Sequence, residues 1–402
     1  MPFSRSDTIT FANVRPSPDD AGEFPVAVRP TRFEVPFADR VALLTEVPAA
    51  PMLSPTMSTV VSVEALTSFT KAVLETQDVP PDDASVVAEC LVFANRSGVD
   101  THGVVRLAHY IRRLQNGSIA TRPELTIARR APALASVDGG DGLGHVVSHR
   151  ACIEAIDIAR DQGSAFVVVS HSSHMGMLGY YMNLITEHGM AGMVMTTTDA
   201  FLVPFGGTRP FFGTNPLCMG VPGPDIPVVL DMATTSIPYG KVALAKVEGR
   251  SIPESWGVDG KGKPTTDPGE LVGLHPIAGP KGSGIAMMID VFCSLIMGLP
   301  FGPHIVKMYG DMEQPRNLGH VFAVWDITRF GTLDEFRNRV GEMIDELHAM
   351  PPAEGFDRVL FPGELEGLRR SERGLHGIPI EEGLADELRE LGESVGVRFP
   401  AQ

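Results

Sequence analysis

Residues 164–196, SAFVVVSHSSHMGMLGYYMNLITEHGMAGMVMT, decide the fold class because strand and helix patterns alternate along them. The apolar run 165–169 is typical of a buried strand, the pattern over 177–188 predicts a helix that ends at Gly189, and 192–195 predicts a second strand. A helical pattern over 148–162 precedes this stretch, and the apolar run 228–230 follows it. This alternation predicts an α/β layer architecture.

Helical patterns dominate the chain on both sides of this stretch. Three helices are expected between Ser62, a plausible N-cap, and Asn116, where the third ends. Beyond residue 275 the patterns predict a helix over 281–297, a strand over 321–325 and a helix over 333–349. The predicted domains are a helical part (57–125), an α/β domain (126–275) and a C-terminal part (276–402) that packs with the N-terminal helices.

Residues 1–56 contain many prolines and no sustained helical or strand period, so we expect an irregular or disordered extension. Met57 stands directly before the first amphipathic segment. One interpretation makes it the biological start, and the other makes the upstream residues a genuine extension that packs on the surface.

Composition excludes several classes of protein. With 402 residues, 43% of them hydrophobic, the chain can form a large core, and its net charge of −16 disfavours nucleic acid as a partner. The four cysteines form no CxxC pair, which indicates reduced thiols in a cytoplasmic protein. No uninterrupted apolar run of eighteen residues occurs, so no membrane partner is expected.

The segment DTHGVVRLAHY (100–110) gathers three chemically active side chains. His102, Arg106 and Tyr110 are spaced i, i+4 and i+8, which would place them on one stripe of a helix that begins near Gly103. A guanidinium at a helix N-terminus suits a small carboxylic acid as ligand. The alternative is a solvated helix face with ordinary salt bridges.

A second candidate is the polar turn SHSSHMGMLG (170–179), which lies between a strand and a helix, where α/β proteins usually bind ligands. Its histidines, His171 and His174, are three residues apart. They could be metal ligands, although no nearby carboxylate or cysteine completes a zinc pattern. One could be a general base near neutral pH, or each could be a hydrogen-bonded structural residue.

Glycine-rich segments give a mixed signal for dinucleotides. No strict GxGxxG occurs, and the stretch 257–263 fails as a phosphate-binding P-loop because Pro264 replaces the magnesium-binding Ser or Thr. The segment AGPKGSG (278–284) precedes a predicted helix and offers backbone amides together with Lys281 for phosphate or nicotinamide contacts. A simple tight turn is the alternative.

Five segments together resemble the malate/L-lactate dehydrogenase-like family, which lacks the Rossmann fold. They follow family order and spacing, and the similarity extends over residues 61–380, with Thr101 replacing the usual serine of DSHGxxR and Ser173 standing where similar members have glycine. The segments are DTHGVVRL (100–107), VPFGGTRPFFGTNPLCMGVP (203–222), LDMATTSIPYGKV (230–242), GPKGSGIAMMIDV (279–291) and PRNLGHVFAVWD (315–326).

This resemblance implies a fold and a set of roles. The implied fold is the non-Rossmann α/β fold of L-sulfolactate dehydrogenases, with a central mixed-sheet cofactor domain and a helical domain from the N- and C-terminal parts. His174 would be the catalytic acid/base, and His102 would polarise the substrate. Arg106, Tyr110 and Tyr309 would bind the substrate, Arg106 through its carboxylate. Cofactor contacts would come from Thr198, Asp231, Met232, Ala233 and Lys281.

The implied activity is hydride transfer between a nicotinamide and a small 2-hydroxy acid in a homodimer or higher homo-oligomer. The segments 251–268 and 298–302 and the pair Met308-Tyr309 are similar to those of members that oxidise ureidoglycolate to oxalurate. NAD is the expected cofactor, with NADP not excluded. Other substrates are malate, L-lactate, sulfolactate or a 2-oxo or 2-imino acid. A metal-dependent hydrolase and a catalytically silent nucleotide-binding protein are alternatives from other classes.

Overall fold

The computed structural model describes residues 58–400, so the expected extension before Met57 lies outside the described residues. The helices in chain order are α1 (Val63–Glu75), α2 (Pro81–Arg96), α3 (Leu107–Gln115), α4 (Gly144–Gln162), α5 (Leu178–Glu187), α6 (Tyr239–Val247), α7 (Pro280–Cys293), α8 (Leu333–His348), α9 (Glu364–His376) and α10 (Glu382–Ser394). The strands are β1 (Ser58–Val61), β2 (Thr126–Ala131), β3 (Leu134–Asp138), β4 (Ser164–Ser172), β5 (Met190–Thr196), β6 (Leu217–Val221), β7 (Val228–Met232), β8 (Gly257–Val258), β9 (Gly273–Leu274), β10 (Leu318–Asp326) and β11 (Ile378–Glu381).

A seven-stranded mixed sheet forms the centre of the described chain, in the order β2-β3-β4-β10-β5-β6-β7. The β3–β4 pair is parallel and the neighbouring pairs are antiparallel. Strand β10 pairs with both β4 and β5, although it follows them by more than a hundred residues. The predicted α/β class and mixed sheet are confirmed.

Both faces of the sheet are covered because its strands alternate apolar side chains between them. In β4, Val167 and Val169 point into a core that α4 and α5 close. Val168 points to the opposite face, where it packs with Ile289 and Cys293 of α7. The carboxyl end of β4 thus emerges between two packed layers, directly before the turn that carries His174.

A separate core joins the two ends of the described chain. Apolar side chains of α1, α2 and α3 pack there with those of β11 and α10, and β1 pairs with β11 in a two-stranded antiparallel sheet. Helix α1 begins as predicted, with the Ser62 hydroxyl accepting a hydrogen bond from Ala65 N at 3.1 Å. Of the predicted C-terminal part, β11 and α10 join this helical core, whereas α7 and β10 belong to the α/β layers. The predicted domain bounds stay a prediction.

One segment of the described chain, Pro280–Met297, is long and apolar enough to cross a membrane, with a mean hydropathy of 1.3. The core helix of a globular protein meets the same criterion. Helix α7 ends at Cys293, earlier than the predicted 297. It carries Asp290, which is buried and receives a hydrogen bond from Asn215 Nδ2 at 3.1 Å. A third of the segment is buried, and its buried residues Ile289 and Cys293 pack against the central sheet.

Candidate active site

The DTHGVVR segment folds as two short 3-10 turns, Asp100–His102 and Val104–Arg106, and the α-helix begins only at Leu107. The predicted helix start at Gly103 is therefore wrong, because Gly103 is extended (φ −87°, ψ −151°) and interrupts the helical path. The buried Asn95 holds this break: its Oδ1 accepts from Val104 N at 2.9 Å and its Nδ2 donates to Asp100 at 2.7 Å. A Cβ on Gly103 would lie 2.1 Å from Asn95 Oδ1, so only glycine fits.

His102, Tyr110 and His174 nevertheless meet. The Tyr110 hydroxyl and His174 Nδ1 are 2.7 Å apart, and the two rings stack at 6.1 Å with an interplanar angle of 24°. The His102 ring stacks on His174 from another side, at 5.9 Å between centroids. Tyr110, expected to bind the substrate, contacts His174 directly and therefore orients its imidazole.

The turn that presents His174 is fixed by Ser173, which stands where similar members have glycine. Its buried hydroxyl donates to Gly142 O at 3.0 Å and accepts from Gly144 N at 2.8 Å, which ties the turn to the start of α4. Serine thus adds two hydrogen bonds that a glycine could not make.

Burial keeps the imidazoles of this site uncharged at neutral pH. It lowers the pKa of His174 well below 6.5, and the neighbouring His102 and Arg106 lower it further. Burial and then Arg106 lower the pKa of His102 to about 4. A neutral imidazole can accept a proton, whereas an imidazolium cannot, so His174 is in the state that a general base needs.

Arg106 has no carboxylate partner among residues 58–400. Its Nε donates to Thr101 O at 2.7 Å, and burial lowers the pKa of its guanidinium. A partly buried cation without a counter-ion favours an anionic ligand. Tyr309 lies beside it, with the guanidinium carbon 5.8 Å from the ring centroid and 65% of the side chain exposed.

Arg113, which had no predicted role, holds the segment that carries Tyr309. This arginine is 1% exposed and donates to Ser118 and His109 and to four backbone carbonyls of that segment. The carbonyls belong to Lys307, Met308, Asp311 and Gln314. The sequence could have indicated its contact with His109, because Arg113 follows His109 by four residues, which is one turn of α3.

Three other buried side chains near His174 also had no predicted role. His145 packs edge-on to Tyr110 at 5.0 Å, and Gly176 (φ +78°) leaves room for it, since a Cβ there would lie 2.8 Å from His145 Nε2. His320 lies within hydrogen-bonding distance of Ser172 and Thr196 and so joins β4, β10 and β5. The third is Arg316, which pairs with Asp199.

Four of the five residues predicted to contact a cofactor lie at or just after the ends of β5 and β7, the two strands that flank β6. Thr198 N donates to Asn215 Oδ1 at 3.1 Å, and the adjacent Thr214 accepts at its carbonyl from Thr234 N at 2.9 Å. Thr234 follows the predicted trio Asp231, Met232 and Ala233. Its carbonyl accepts from Ile277 N at 2.8 Å, which brings the segment before Lys281 to the same place.

Two of these predicted contacts are charged. Asp231 Oδ2 accepts from Gly179 N at 2.8 Å in the first turn of α5, and burial raises the pKa of this carboxyl to about 6. Lys281 is exposed in the first turn of α7 and forms no ion pair within the described chain. A free ammonium at a helix N-terminus and hydroxyls at strand ends fit the phosphate and ribose groups of a dinucleotide.

His171 does not join His174. Its backbone is left-handed (φ +48°), and its Nδ1 lies 3.0 Å from Asp138 Oδ2, where the ring is about half exposed. No group of three or more His, Cys, Asp or Glu side chains able to hold a metal ion occurs between residues 58 and 400. The alternative of a metal hydrolase therefore has no ligand set there. The stretch 257–263, which fails as a P-loop, begins with β8 and continues as a turn in which Asp259 Oδ1 accepts from Lys261 N and Lys263 N.

The fold and the site together define a class of dehydrogenases whose cofactor domain is a mixed, predominantly antiparallel sheet rather than a Rossmann sheet. Within that class, the chain belongs to the malate/L-lactate dehydrogenase family, whose model matches residues 61–389. It is a dehydrogenase of the family's NAD(P)-dependent, hydroxy-acid type, and relatives named for NAD(+) and for NADP(+) both occur.

Similar proteins differ in their named substrates. Ureidoglycolate dehydrogenase (NAD(+)) of Escherichia coli O157:H7 is 37% identical over 300 residues, which cover 74% of this chain and 86% of that one. Malate dehydrogenase of Pyrococcus horikoshii is 35% identical over 349 residues, which cover 83% of this chain and 95% of that one. The structure of sulfolactate dehydrogenase from Methanocaldococcus jannaschii superimposes with a TM-score of 0.79 at 34% identity, over 85% and 98% of the chains.

Proposed function

We propose that the chain oxidises ureidoglycolate to oxalurate with NAD, with His174 as the base and Arg106 as the clamp for the substrate carboxylate. The observation that carries the proposal is the hydrogen bond between Tyr110 and the neutral His174, close to a guanidinium that no carboxylate of the described chain neutralises. Malate, L-lactate or sulfolactate as substrate and NADP as cofactor are the alternatives within the same chemistry.

His174 performs the proton transfer in this proposal. In oxidation, its Nε2 accepts the hydroxyl proton. Its Nδ1 therefore carries the ring hydrogen and donates a hydrogen bond to the Tyr110 oxygen. Burial raises the pKa of the Tyr110 phenol, which therefore stays neutral and can either accept or donate. Tyr110 can thus support His174 as a base in oxidation and as an acid in reduction.

Arg106 and His102 place the substrate. A two-pronged contact from Arg106 to the carboxylate fixes the C2 carbon, and the His102 ring, stacked on His174, lies where it can polarise the C2 oxygen. A dinucleotide, when bound, would supply the acceptor for the hydride from C2. Thr198, Asp231, Met232, Ala233 and Lys281 would hold it, through hydroxyl, backbone and ammonium contacts.

A spectrophotometric screen tests the proposal. The purified chain is mixed with NAD or NADP and with ureidoglycolate, L-malate, L-lactate or sulfolactate, and absorbance of the reduced nicotinamide is followed. We expect the fastest reduction with NAD and ureidoglycolate. A higher kcat/KM for another of these acids would reassign the substrate, and absence of reduction with every pair would remove the proposed function and favour a silent nucleotide-binding protein.

We also propose that the enzyme is a homodimer in the cytoplasm, where its four buried free cysteines would stay reduced. Helix α7 and the turn after it expose an apolar row, of which Ile285 and Met288 are 38% and 47% exposed one turn apart. Contiguous apolar surface of this kind is typical of protein interfaces. The same segment also exposes the apolar side chains of Met287, Leu295 and Ile296.

Light scattering tests the dimer. We expect twice the chain mass of 43.1 kDa for the native protein and a single chain mass for the double substitution Ile285→Asp with Met288→Asp, because buried carboxylates without partners oppose association. Substituting the exposed Phe330, which lies elsewhere on the surface, with Asp is the matched control. A native monomer would contradict the proposal.

A further inference from the structure

The charged groups around His174 are unequal in what they can offer a ligand. Four guanidiniums act on the rings of His174 and His109, those of Arg106, Arg112, Arg113 and Arg316. Arg112 is exposed on α3, whereas the other three are buried or half-buried, and Asp199 and Asp311 act on Arg113 with the opposite sign. Which of these three guanidiniums is free to bind a carboxylate decides what kind of acid can bind.

Arg113 has no hydrogen-bonding capacity left for a ligand. Its Nε donates to His109 at 3.2 Å, and both of its terminal nitrogens donate to Ser118 or to backbone carbonyls at 2.8–3.3 Å. The carbonyl dipoles solvate this cation, and its side chain is 1% exposed. It holds the segment around Tyr309 and leaves substrate binding to other groups.

Arg316 is buried, and an ion pair neutralises its charge. Its charge, like that of Arg106, lowers the pKa of His174 and of His109. Its side chain is 2% exposed, one terminal nitrogen forms an ion pair with Asp199, and Nε donates to Val306 O at 3.1 Å. Asp199 therefore cancels the second cation that a dianionic substrate would need.

The surface beyond Arg106 presents neutral groups. His109 Nε2 accepts from Arg113 Nε, so Nδ1 carries the ring hydrogen as a donor. Burial and then Arg113 lower the pKa of His109 to about 4, which leaves its ring uncharged at neutral pH. The Tyr309 ring packs on His109 at 5.0 Å between centroids and adds a hydroxyl. The His109 ring and the Tyr309 hydroxyl can each donate a hydrogen bond to an uncharged carbonyl.

We propose that Asp199 determines the charge of the substrate: by pairing with Arg316 it leaves Arg106 as the one available cation among the buried and half-buried arginines that the structure describes around His174, so the site selects monoanionic 2-hydroxy acids whose far end is a neutral hydrogen-bonding group. This inference rests on the proposed function and narrows its substrate class. An amide or ureido group fits such a far end. A second carboxylate or a sulfonate would lose its hydration there without gaining a free cation.

Two substrates of equal size distinguish the effect of substrate charge on kcat/KM from the effect of substrate shape. L-Malate and its 4-amide differ only in whether the group at C4 is a carboxylate or a carboxamide. We expect the native enzyme to favour the amide in kcat/KM by about tenfold or more, since an uncompensated charge is costly in a partly buried site. Preference of the native enzyme for malate would overturn the inference even if no variant folded.

The substitution Asp199→Asn removes the negative charge and keeps an oxygen that can accept from Arg316. We expect the ratio of kcat/KM for malate to that for the amide to rise by about tenfold or more, because Arg316 then becomes available to the second carboxylate. Asp199→Glu should keep the native ratio. Asp157→Asn on the exposed surface of α4 is the control for a general change in net charge.

The outcomes distinguish the two proposals. Reduction of NAD with an unchanged ratio in Asp199→Asn would overturn the role of Asp199 and leave the dehydrogenase function standing. A changed ratio in Asp157→Asn as well would also overturn it, since bulk charge would then be the cause. Absence of reduction with any hydroxy acid would remove the proposed function itself.

Discussion

Replacing His174 with alanine lowers kcat for oxidation of the 2-hydroxy acid by about a hundredfold or more and leaves the dissociation constant of the dinucleotide nearly unchanged. The physical reason is that the substrate hydroxyl loses the base that takes its proton, while the predicted cofactor contacts lie on other strands. Steady-state kinetics and quenching of reduced-nicotinamide fluorescence measure the two quantities. His171→Ala is the matched control, because that histidine pairs with Asp138 at the surface.

The pH dependence separates a base from a structural histidine. Because burial lowers the pKa of His174 well below 6.5, kcat/KM should stay level as the pH falls through 6.5 and decline only nearer the lowered pKa. A bound carboxylate offsets the charge of Arg106, so the decline in kcat should occur at higher pH. The His174→Ala variant should lack both declines. Near-normal turnover in that variant would take His174 out of this role.

Replacing Arg106 with alanine raises KM for the hydroxy acid by about ten- to a hundredfold, the effect of losing hydrogen bonds to a charged partner worth roughly 1.5–3 kcal/mol. Arg106→Lys retains the charge but loses the planar two-pronged contact, so it should recover only part of the loss. Initial rates over a wide range of substrate concentration measure the change.

The control for Arg106 is Arg112→Ala, which removes an exposed cation of α3 and should leave KM nearly native. Melting temperatures of both variants establish that the 3-10 turns near residue 100 are retained, since Arg106 Nε also bonds to Thr101 O. An unchanged KM in folded Arg106→Ala would show that another group holds the carboxylate.

Local patterns predicted the elements that surround the site. The five-residue apolar run of β4, the glycine that ends α4 and the capping hydroxyl of Ser62 each have a short-range cause. The start of α1 and the end of α4 were found where they were predicted, and β4 extends a few residues beyond its apolar run. The helix at 144–162 begins four residues earlier than predicted, because the Ser173 hydroxyl accepts a hydrogen bond from Gly144 N. That partner is 29 residues away, and no local pattern contains it.

The candidate site was predictable where its chemistry lay within one segment. His102, Arg106 and Tyr110 were expected to share a helix stripe. They come together around two 3-10 turns instead, because Asn95 Oδ1 accepts a hydrogen bond from Val104 N and so interrupts the helix. The pair of Arg316 and Asp199 joins residues 117 positions apart, which only the folded sheet brings into contact. The roles of His174 and of the cofactor contacts remain predictions carried by family likeness and by the geometry described above.

The position of β10 also has a consequence for synthesis of the protein on the ribosome. Strands β4 and β5 are complete by residue 196, but the strand that joins them does not leave the exit tunnel until after residue 326. During that interval two long apolar strands expose unpaired edges, which is the condition under which nascent chains aggregate. Chaperones that hold strand edges should therefore matter more for this enzyme than for one whose neighbouring strands are translated consecutively.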